Sequence, residues 1–165
     1  MLYKEISQQD ADLLKEFVFL AIHVSDPTQA PDRSLLDVPQ IKKYYSGWGQ
    51  TADYGIKAID EDTHEIVGMI WIRQFHDSDP SYGFISNEIP ELTMSVKESY
   101  RGCGVGTELM KQLIHGIKNT YPAISLSVSL DNRAKHLYEN FGFTKYERIG
   151  DSLTMCLDLE YWSGI

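Results

Sequence analysis

The sequence predicts a single domain of the mixed α/β (α+β) class. Its 165 residues suit one domain with one hydrophobic core. Hydrophobic residues make up 42% and charged residues 24% of the chain, which is typical of a globular protein and argues against disorder. Strand-like and helix-like runs follow one another without a repeat, a low-complexity tract or a linker. We therefore expect residues 1–165 to form one domain.

The first half of the chain is predicted to contain three strands and two helices. "LYKEI" alternates polar and apolar residues as a strand does, and the next run repeats apolar residues at helical spacing. Three prolines then favour a loop from His23 to Pro39. The predicted elements are a strand at 2–6, a helix at 7–22, a short helix at 38–49 ending near Gly47, and two strands within 54–75 around a turn at 60–63.

The second half is predicted to contain four strands and two helices. A long connection with two prolines, "HDSDPSYGFISNEIP", precedes the strand "ELTMSV". "AISLSVSL" alternates cleanly, and "NRAKHLYENFG" is a helix that closes on a glycine. The predicted elements are strands at 91–96, 123–130, 143–149 and 152–159, and helices at 106–119 and 132–142. This order predicts a mixed sheet with helices in one domain.

Charge and cysteine usage limit the partners and the compartment. The formal net charge of −9 repels nucleic acid and anionic membranes and mildly favours a cationic partner. The start of the chain lacks the apolar run of a signal peptide, and no apolar stretch approaches the roughly 20 residues that cross a bilayer. Cys103 and Cys156 have no metal-ligand spacing. We expect a cytoplasmic protein with no metal, no nucleic acid and no membrane as partners.

The glycine-rich stretch "YRGCGVG", at residues 100–106, is the main functional signal. It lies between a predicted strand and the first turn of a predicted helix, where unpaired N–H groups and the helix dipole attract anions. Glycines let a phosphate approach the backbone closely, and Arg101 adds a donor suited to phosphate oxygens. A tight turn without a ligand is the simpler alternative. Three glycines in five residues favour the anion site.

Two common phosphate-binding loops do not match this stretch. A P-loop requires Gly-Lys-Ser/Thr at the start of the helix, whereas this chain has Gly106-Thr107-Glu108. A dinucleotide fingerprint requires G-x-G-x-x-G, whereas the glycines here give G-x-G-x-G. Asp131 stands where a ribose-binding acid would, but too little chain follows for a doubly wound sheet. A dinucleotide-binding protein is therefore a distant alternative.

A third pattern does match. The spacing Arg101-x-x-Gly104-x-Gly106 after "ELTMSV" resembles the acetyl-CoA pyrophosphate loop of the GNAT superfamily of N-acetyltransferases. The stretch "DNRAKHLYENFGF" resembles that superfamily's second motif, N-x-A-x-x-L-Y-x-x-x-G-F, through Asn132, Ala134, Leu137, Tyr138, Gly142 and Phe143. The resemblance implies a central, mostly antiparallel sheet that is flanked by helices and splays open between "ELTMSV" and "AISLSVSL".

The resemblance also implies how acetyl-CoA would be held as co-substrate. The backbone of Met94, Ser95 and Val96 would pair with the pantetheine arm like an added strand, and a main-chain N–H there would polarise the thioester carbonyl. The loop amides would bind the pyrophosphate. The implied binding residues are Met94, Ser95, Val96, Arg101, Gly102, Cys103, Gly104, Val105, Gly106, Thr107 and Asn132. Thr107 and Glu108 are expected to begin the helix.

Two residues are implied in the chemistry. Tyr138 occupies the position of the superfamily's general acid; a phenol with a pKa of about 10 is protonated at neutral pH and can donate to a thiolate. Packing in the core is the alternative role for Tyr138. Glu91 stands where some members keep a base, and a solvated strand end is equally compatible with its position. Glu88 is the second choice as base, and His23 is a weak candidate on the acceptor side.

Together these residues predict an enzyme. We expect an N-acetyltransferase that moves the acetyl group directly from acetyl-CoA to a primary amine, either a small cationic amine or a peptide amine. The alternative is a non-catalytic acyl-CoA-binding module, which would need neither Glu91 nor Tyr138. A homodimer is compatible with this prediction.

Overall fold

The computed structural model of the chain describes residues 1–22, 26 and 28–164. His23 and part of the predicted loop at 23–39 lie outside the described residues. The described part contains strands β1 (Leu2–Glu5), β2 (Tyr54–Ile59), β3 (Ile66–Arg73), β4 (Glu91–Val96), β5 (Ala123–Ser129), β6 (Thr144–Ile149) and β7 (Ser152–Asp158). It also contains helices α1 (Ala11–Ala21), α2 (Pro39–Lys42), α3 (Val105–Ile117) and α4 (Ala134–Phe141). The mixed α/β class is confirmed, and each predicted strand and helix is present.

The residues divide into two compact units. The first unit comprises Met1–Ile72 and Thr93–Leu113, and the second comprises Arg73–Leu92 and Ile114–Ile165. Both β4 and α3 run from one unit into the other along the chain. The single-domain prediction stays a prediction.

The first unit is built on strands in the order β1-β2-β3-β4, of which β1 pairs with β2 and β2 with β3 in antiparallel orientation. Residues Val67 and Met69–Ile72 of β3 are fully buried, which explains why this strand reads as a continuous apolar run. Helix α1 supplies Leu14 and Phe17 to the same core. The indole of Trp71 is also buried, and its Nε1 donates to Tyr44 O at 3.0 Å. This bond connects β3 to the turn that follows α2.

Helix α2 is shorter than predicted. It ends at Lys42, and turns continue to Gly47 instead of a helix. The tertiary bond from Trp71 occupies the Tyr44 carbonyl, and the Tyr45 hydroxyl donates to Leu36 O at 2.6 Å. These long-range bonds hold the turn segment in place of further helical turns. The loop predicted at 23–39 likewise contains a short 3-10 helix at Arg33–Asp37, begun by Asp32, whose side chain accepts from Ser34 N.

The second unit contains the strand order β4-β5-β7-β6. β5 pairs with β7 and β6 with β7 in antiparallel orientation, whereas β4 pairs with β5 in parallel at Glu91 and Ser125. Most pairings are thus antiparallel, as predicted, and the splaying between β4 and β5 stays a prediction. β6 is exposed along its length and carries charged side chains, which discourage pairing with another chain.

The helices that flank these strands end and pack as their sequence indicates. α4 ends at Gly142, whose φ of +104° is the left-handed conformation that closes many helices. Its buried face contains Tyr138 and Phe141, whereas His136 is exposed. In the described part of the chain, no helix has both the length and the apolar character to cross a membrane.

Candidate active site

The glycine loop of the first unit presents an open backbone. A 3-10 turn at Glu98–Tyr100 leads into Arg101, and Gly102 and Gly104 follow with φ angles of +77° and +86°. L-residues rarely adopt such angles, so glycine is required at both positions. A Cβ atom added to either glycine would meet no heavy atom within 4 Å. The loop therefore leaves space beside its backbone that a ligand can enter.

Helix α3 begins directly after this loop. Its first hydrogen bond runs from Glu108 N to Gly104 O at 3.1 Å. The amides of Val105, Gly106 and Thr107 come before this bond, so they have no carbonyl acceptor within the helix. The helix starts at Val105, one residue before the predicted helix at 106–119. Those amides and the positive end of the helix dipole together form an anion-binding arrangement.

Charged side chains beside the loop are held by local bonds. Arg101 Nε donates to Val96 O at 2.9 Å, which ties this exposed side chain to the end of β4. Glu108 accepts from Gln112 Nε2 at 3.0 Å, and this bond draws its carboxylate along the helix. Cys103 is exposed, and its Sγ lies 3.7 Å from Arg101 O. The loop thus contains one cation next to the glycine backbone.

The predicted carbonyl-polarising strand lies in the first unit from Thr93 onward. Ser95 Oγ donates to Phe17 O at 2.6 Å and is buried, so its side chain is committed to α1 and only its backbone can meet a substrate. Met94 is half-buried, and Val96 is buried. Next to them, Lys97 N donates to Val67 O at 2.8 Å and continues the pairing with β3.

Glu91 belongs to the second unit and is not a solvated strand end. Its side chain is only 4% exposed, and Oε1 accepts from Ser81 Oγ at 2.6 Å and from Gly83 N at 2.8 Å. The alternative of a solvated position is therefore wrong, because the connection before β4 folds back over the carboxylate. Glu88, the second choice as base, is exposed.

Three residues around Glu91 were not identified from the sequence. A Cβ atom on Gly83 would lie 2.9 Å from Glu91 Oε1 and 2.8 Å from Leu126 C, so only glycine fits between carboxylate and strand. Ser81 supplies the second donor. Ser125, which pairs with Glu91 in the strand ladder, keeps a buried hydroxyl without a hydrogen-bond partner in the described chain. Such a group costs stability and marks this place as one to test for function. A single glycine in a polar loop is the only sequence signal that could have indicated it.

Tyr138 and Asn132 also belong to the second unit. Tyr138 is 8% exposed, its ring lies 5.8 Å from that of Phe143 in an edge arrangement, and burial raises its pKa to about 12. The phenol is therefore protonated at every physiological pH. Asn132 Oδ1 accepts from Ala134 N at 2.9 Å and so fixes the start of α4. Both side chains are oriented by α4.

The predicted site residues thus form two groups. The first unit brings the glycine loop, the start of α3 and the last residues of β4 together, through Arg101 and Val96. The second unit contains Glu91, Asn132 and Tyr138. In residues 1–22, 26 and 28–164, no group of three or more potential ligands could hold a metal ion.

The family model described as "Acetyltransferase (GNAT) domain" matches residues 54–145, which is more than half of the chain. No curated protein matches the sequence.

Solved structures of acetyltransferases share the fold. A GNAT-family acetyltransferase from Streptococcus pneumoniae is 18% identical with a TM-score of 0.63, covering 95% of this chain and 98% of its own. A mutant of the spermidine N-acetyltransferase SpeG from Vibrio cholerae is 15% identical with a TM-score of 0.65, covering 99% and 98%. An aminoglycoside 6'-N-acetyltransferase complexed with coenzyme A is 16% identical with a TM-score of 0.65, covering 96% and 97%. At these identities the likeness concerns the fold.

Proposed function

The chain belongs to the GNAT acetyltransferase family and is an acyltransferase, and we propose that it moves an acetyl group from acetyl-CoA to a primary amine by direct transfer. The observation that carries this proposal is the loop before α3. Gly102 and Gly104 have positive φ angles there, and the space that a Cβ atom would occupy at each of them is empty of protein atoms. A phosphate can approach such a backbone, and the helix start supplies unpaired amides.

Acetyl-CoA is proposed as the co-substrate of this loop. The amides from Gly102 to Thr107 would bind the pyrophosphate, and Arg101 would add a cation whose Nε bond to Val96 O orients the guanidinium. The backbone of Met94–Val96 would pair with the pantetheine arm, and a main-chain N–H there would polarise the thioester carbonyl. Asn132 would contribute its side-chain N–H₂, since its oxygen is engaged by Ala134 N.

Glu91 is proposed as the general base. An alkyl ammonium has a pKa near 10, so it must lose a proton before its nitrogen can attack the thioester carbon. The donors Ser81 Oγ and Gly83 N fix one carboxylate oxygen of Glu91 and so hold the group in one orientation. The carboxylate would take this proton first, and the neutral amine would then attack the thioester carbon and form the new C–N bond.

Tyr138 is proposed as the general acid. As the C–S bond breaks, the departing thiolate needs a proton, and a phenol with a pKa of about 12 is always protonated in the cell. The same burial makes the phenol a weaker acid than a tyrosine in water. We therefore propose that Tyr138 donates a hydrogen bond first and passes its proton only as charge develops on sulfur.

The acceptor is proposed to be a small cationic amine or a peptide amine. The spermidine and aminoglycoside acetyltransferases share this fold, and the net charge of −9 favours cations. A cytoplasmic location and a homodimer stay predictions.

The test is release of free thiol from acetyl-CoA across a panel of cationic, neutral and anionic primary amines. We expect amine-dependent thiol release with the acetyl group recovered on the amine. Calorimetry with coenzyme A and NAD accompanies it, and tighter binding of NAD would contradict the proposal. Coenzyme A binding without thiol release for any amine would favour the acyl-CoA-binding module.

A further inference from the structure

The segment that leads into the glycine loop has little packed support. Residues Lys97, Glu98 and Ser99 line a cavity of about 850 Å³ in the first unit, whose other walls include α1 and residues 64–66. Beyond them, Gly102 and Gly104 have open space on their Cβ sides. Glu98 and Ser99 are themselves exposed, so hydrogen bonds contribute to fixing this segment.

The turn between β2 and β3 supplies those bonds. Tyr100 Oη donates to Asp60 Oδ2 at 2.6 Å, across 40 residues of sequence. Asp60 Oδ1 accepts from Asp62 N at 2.9 Å, so one carboxylate orders the turn and holds the tyrosine at once. Glu65, at the end of the same turn, forms an ion pair with Lys97. The turn between β2 and β3 thus holds both ends of the 97–100 segment, one by a hydrogen bond and the other by an ion pair.

The protonation states suit this contact. The hydrogen bond from Tyr100 lowers the pKa of Asp60, and the same bond raises the pKa of the Tyr100 hydroxyl. At neutral pH the pair is therefore a phenol that donates to a carboxylate, which is the stronger kind of hydrogen bond.

We propose that Tyr100, held by Asp60, is a positioning residue that fixes the glycine loop for acetyl-CoA. The phenol anchors the 3-10 turn at Glu98–Tyr100, and Arg101 and the loop amides extend directly from that turn. A loop fixed before binding loses less conformational entropy when the ligand arrives. The inference rests on the proposed function, because it assigns the loop to acetyl-CoA.

The first test is Tyr100→Phe, which removes only the hydroxyl. We expect the Kd for coenzyme A and the KM for acetyl-CoA to rise about 3- to 10-fold, the scale of one hydrogen bond, with kcat nearly unchanged. Amide hydrogen exchange of residues 97–104 should become faster in the free protein. Tyr161→Phe is the matched control, because Tyr161 is 80% exposed, and it should change neither quantity.

The second test is a double-mutant cycle with Asp60→Ala. Asp60→Ala should raise the Kd for coenzyme A at least as much as Tyr100→Phe does, because it also removes the acceptor of Asp62 N. The double variant should resemble Asp60→Ala, because Tyr100→Phe then has no bond to Asp60 left to break. Asp62→Ala, which removes an exposed carboxylate from the same turn, is the control. Fully additive effects would contradict the proposed link.

The outcomes separate this inference from the proposed function. If wild-type protein binds no coenzyme A, the proposed function fails, and the role of Tyr100 toward acetyl-CoA fails with it. If wild type binds coenzyme A but Tyr100→Phe leaves both exchange at 97–104 and the Kd unchanged, the inference alone is wrong. Faster exchange without a change in Kd would also overturn it, since the phenol would then order the loop without serving the ligand.

Discussion

The hydroxyl of Tyr138 is buried, and burial acts on a phenol by penalising its charged form. The pKa is raised to about 12 in the folded protein, whereas an unfolded tyrosine has a pKa near 10. The stabilisation from this group is thus present in full below pH 10 and is lost as the pH rises toward 12. The loss amounts to about 2 kcal/mol at pH 12.

At the scale of this residue, Tyr138→Phe has two expected results. If Tyr138 is the general acid, kcat falls by about 10²–10⁴-fold while the Kd for coenzyme A stays nearly constant. The variant should also lose less stability between pH 10 and 12 than wild type, because it has no phenol to ionise. Steady-state kinetics and denaturant unfolding at several pH values measure both. Tyr146→Phe, at an exposed position on β6, is the control. Unchanged turnover in Tyr138→Phe would assign Tyr138 to packing alone.

The second prediction at the scale of a residue concerns Glu91. Glu91→Gln keeps one oxygen that can accept from Ser81 Oγ and Gly83 N, so we expect the fold to persist. Activity at neutral pH should fall by roughly 10²–10⁴-fold and recover partly at alkaline pH, where the amine loses its proton to solvent. The pH profile of kcat/KM measures this recovery.

The control for Glu91 is Glu88→Gln, at the exposed position in the preceding connection. It should leave the profile unchanged. An equal loss at every pH in Glu91→Gln would make Glu91 a positioning residue, and a loss in Glu88→Gln alone would make Glu88 the base.

At the scale of elements, the third prediction concerns the loop between β4 and α3. Gly104→Leu puts a side chain into the space proposed for phosphate and should abolish detectable binding of coenzyme A. Gly150→Leu is the matched control: Gly150 also has a positive φ, +59°, and open space at its Cβ. Each change should cost roughly 1–2 kcal/mol of stability from left-handed backbone strain. Isothermal calorimetry and thermal unfolding compare the two, and equal loss of binding in both variants would contradict the phosphate site.

At the scale of the whole molecule, the net charge of −9 makes the fourth prediction. Cationic amines should show a higher kcat/KM than matched neutral or anionic amines, because the field of the protein raises their encounter rate by about 10-fold or more at low salt. The preference should fade as salt is raised, since screening shortens the range of the field. Kinetics with matched amines at low and high salt measure it, and a preference for anionic amines would contradict it.

Local patterns in the sequence determined the strands, the helices and the chemistry of the glycine loop. The alternation in "ELTMSV" predicted β4 with its bounds at Glu91–Val96. The glycines predicted a loop that a phosphate can approach, and Gly102 and Gly104 adopt left-handed backbone there. These features depend on side-chain periodicity and on backbone freedom, which neighbouring residues fix by themselves.

Only the tertiary structure decided the surroundings of the predicted residues. Glu91 is buried because a connection 8 to 10 residues earlier folds back to place Ser81 and Gly83 on its carboxylate. Tyr100 meets Asp60 because a turn 40 residues earlier lies beside the loop. Such partners depend on the path of the chain between them, and no local propensity encodes that path. The sequence therefore predicted the reactive groups, whereas the long-range hydrogen bonds that hold them depend on the tertiary structure.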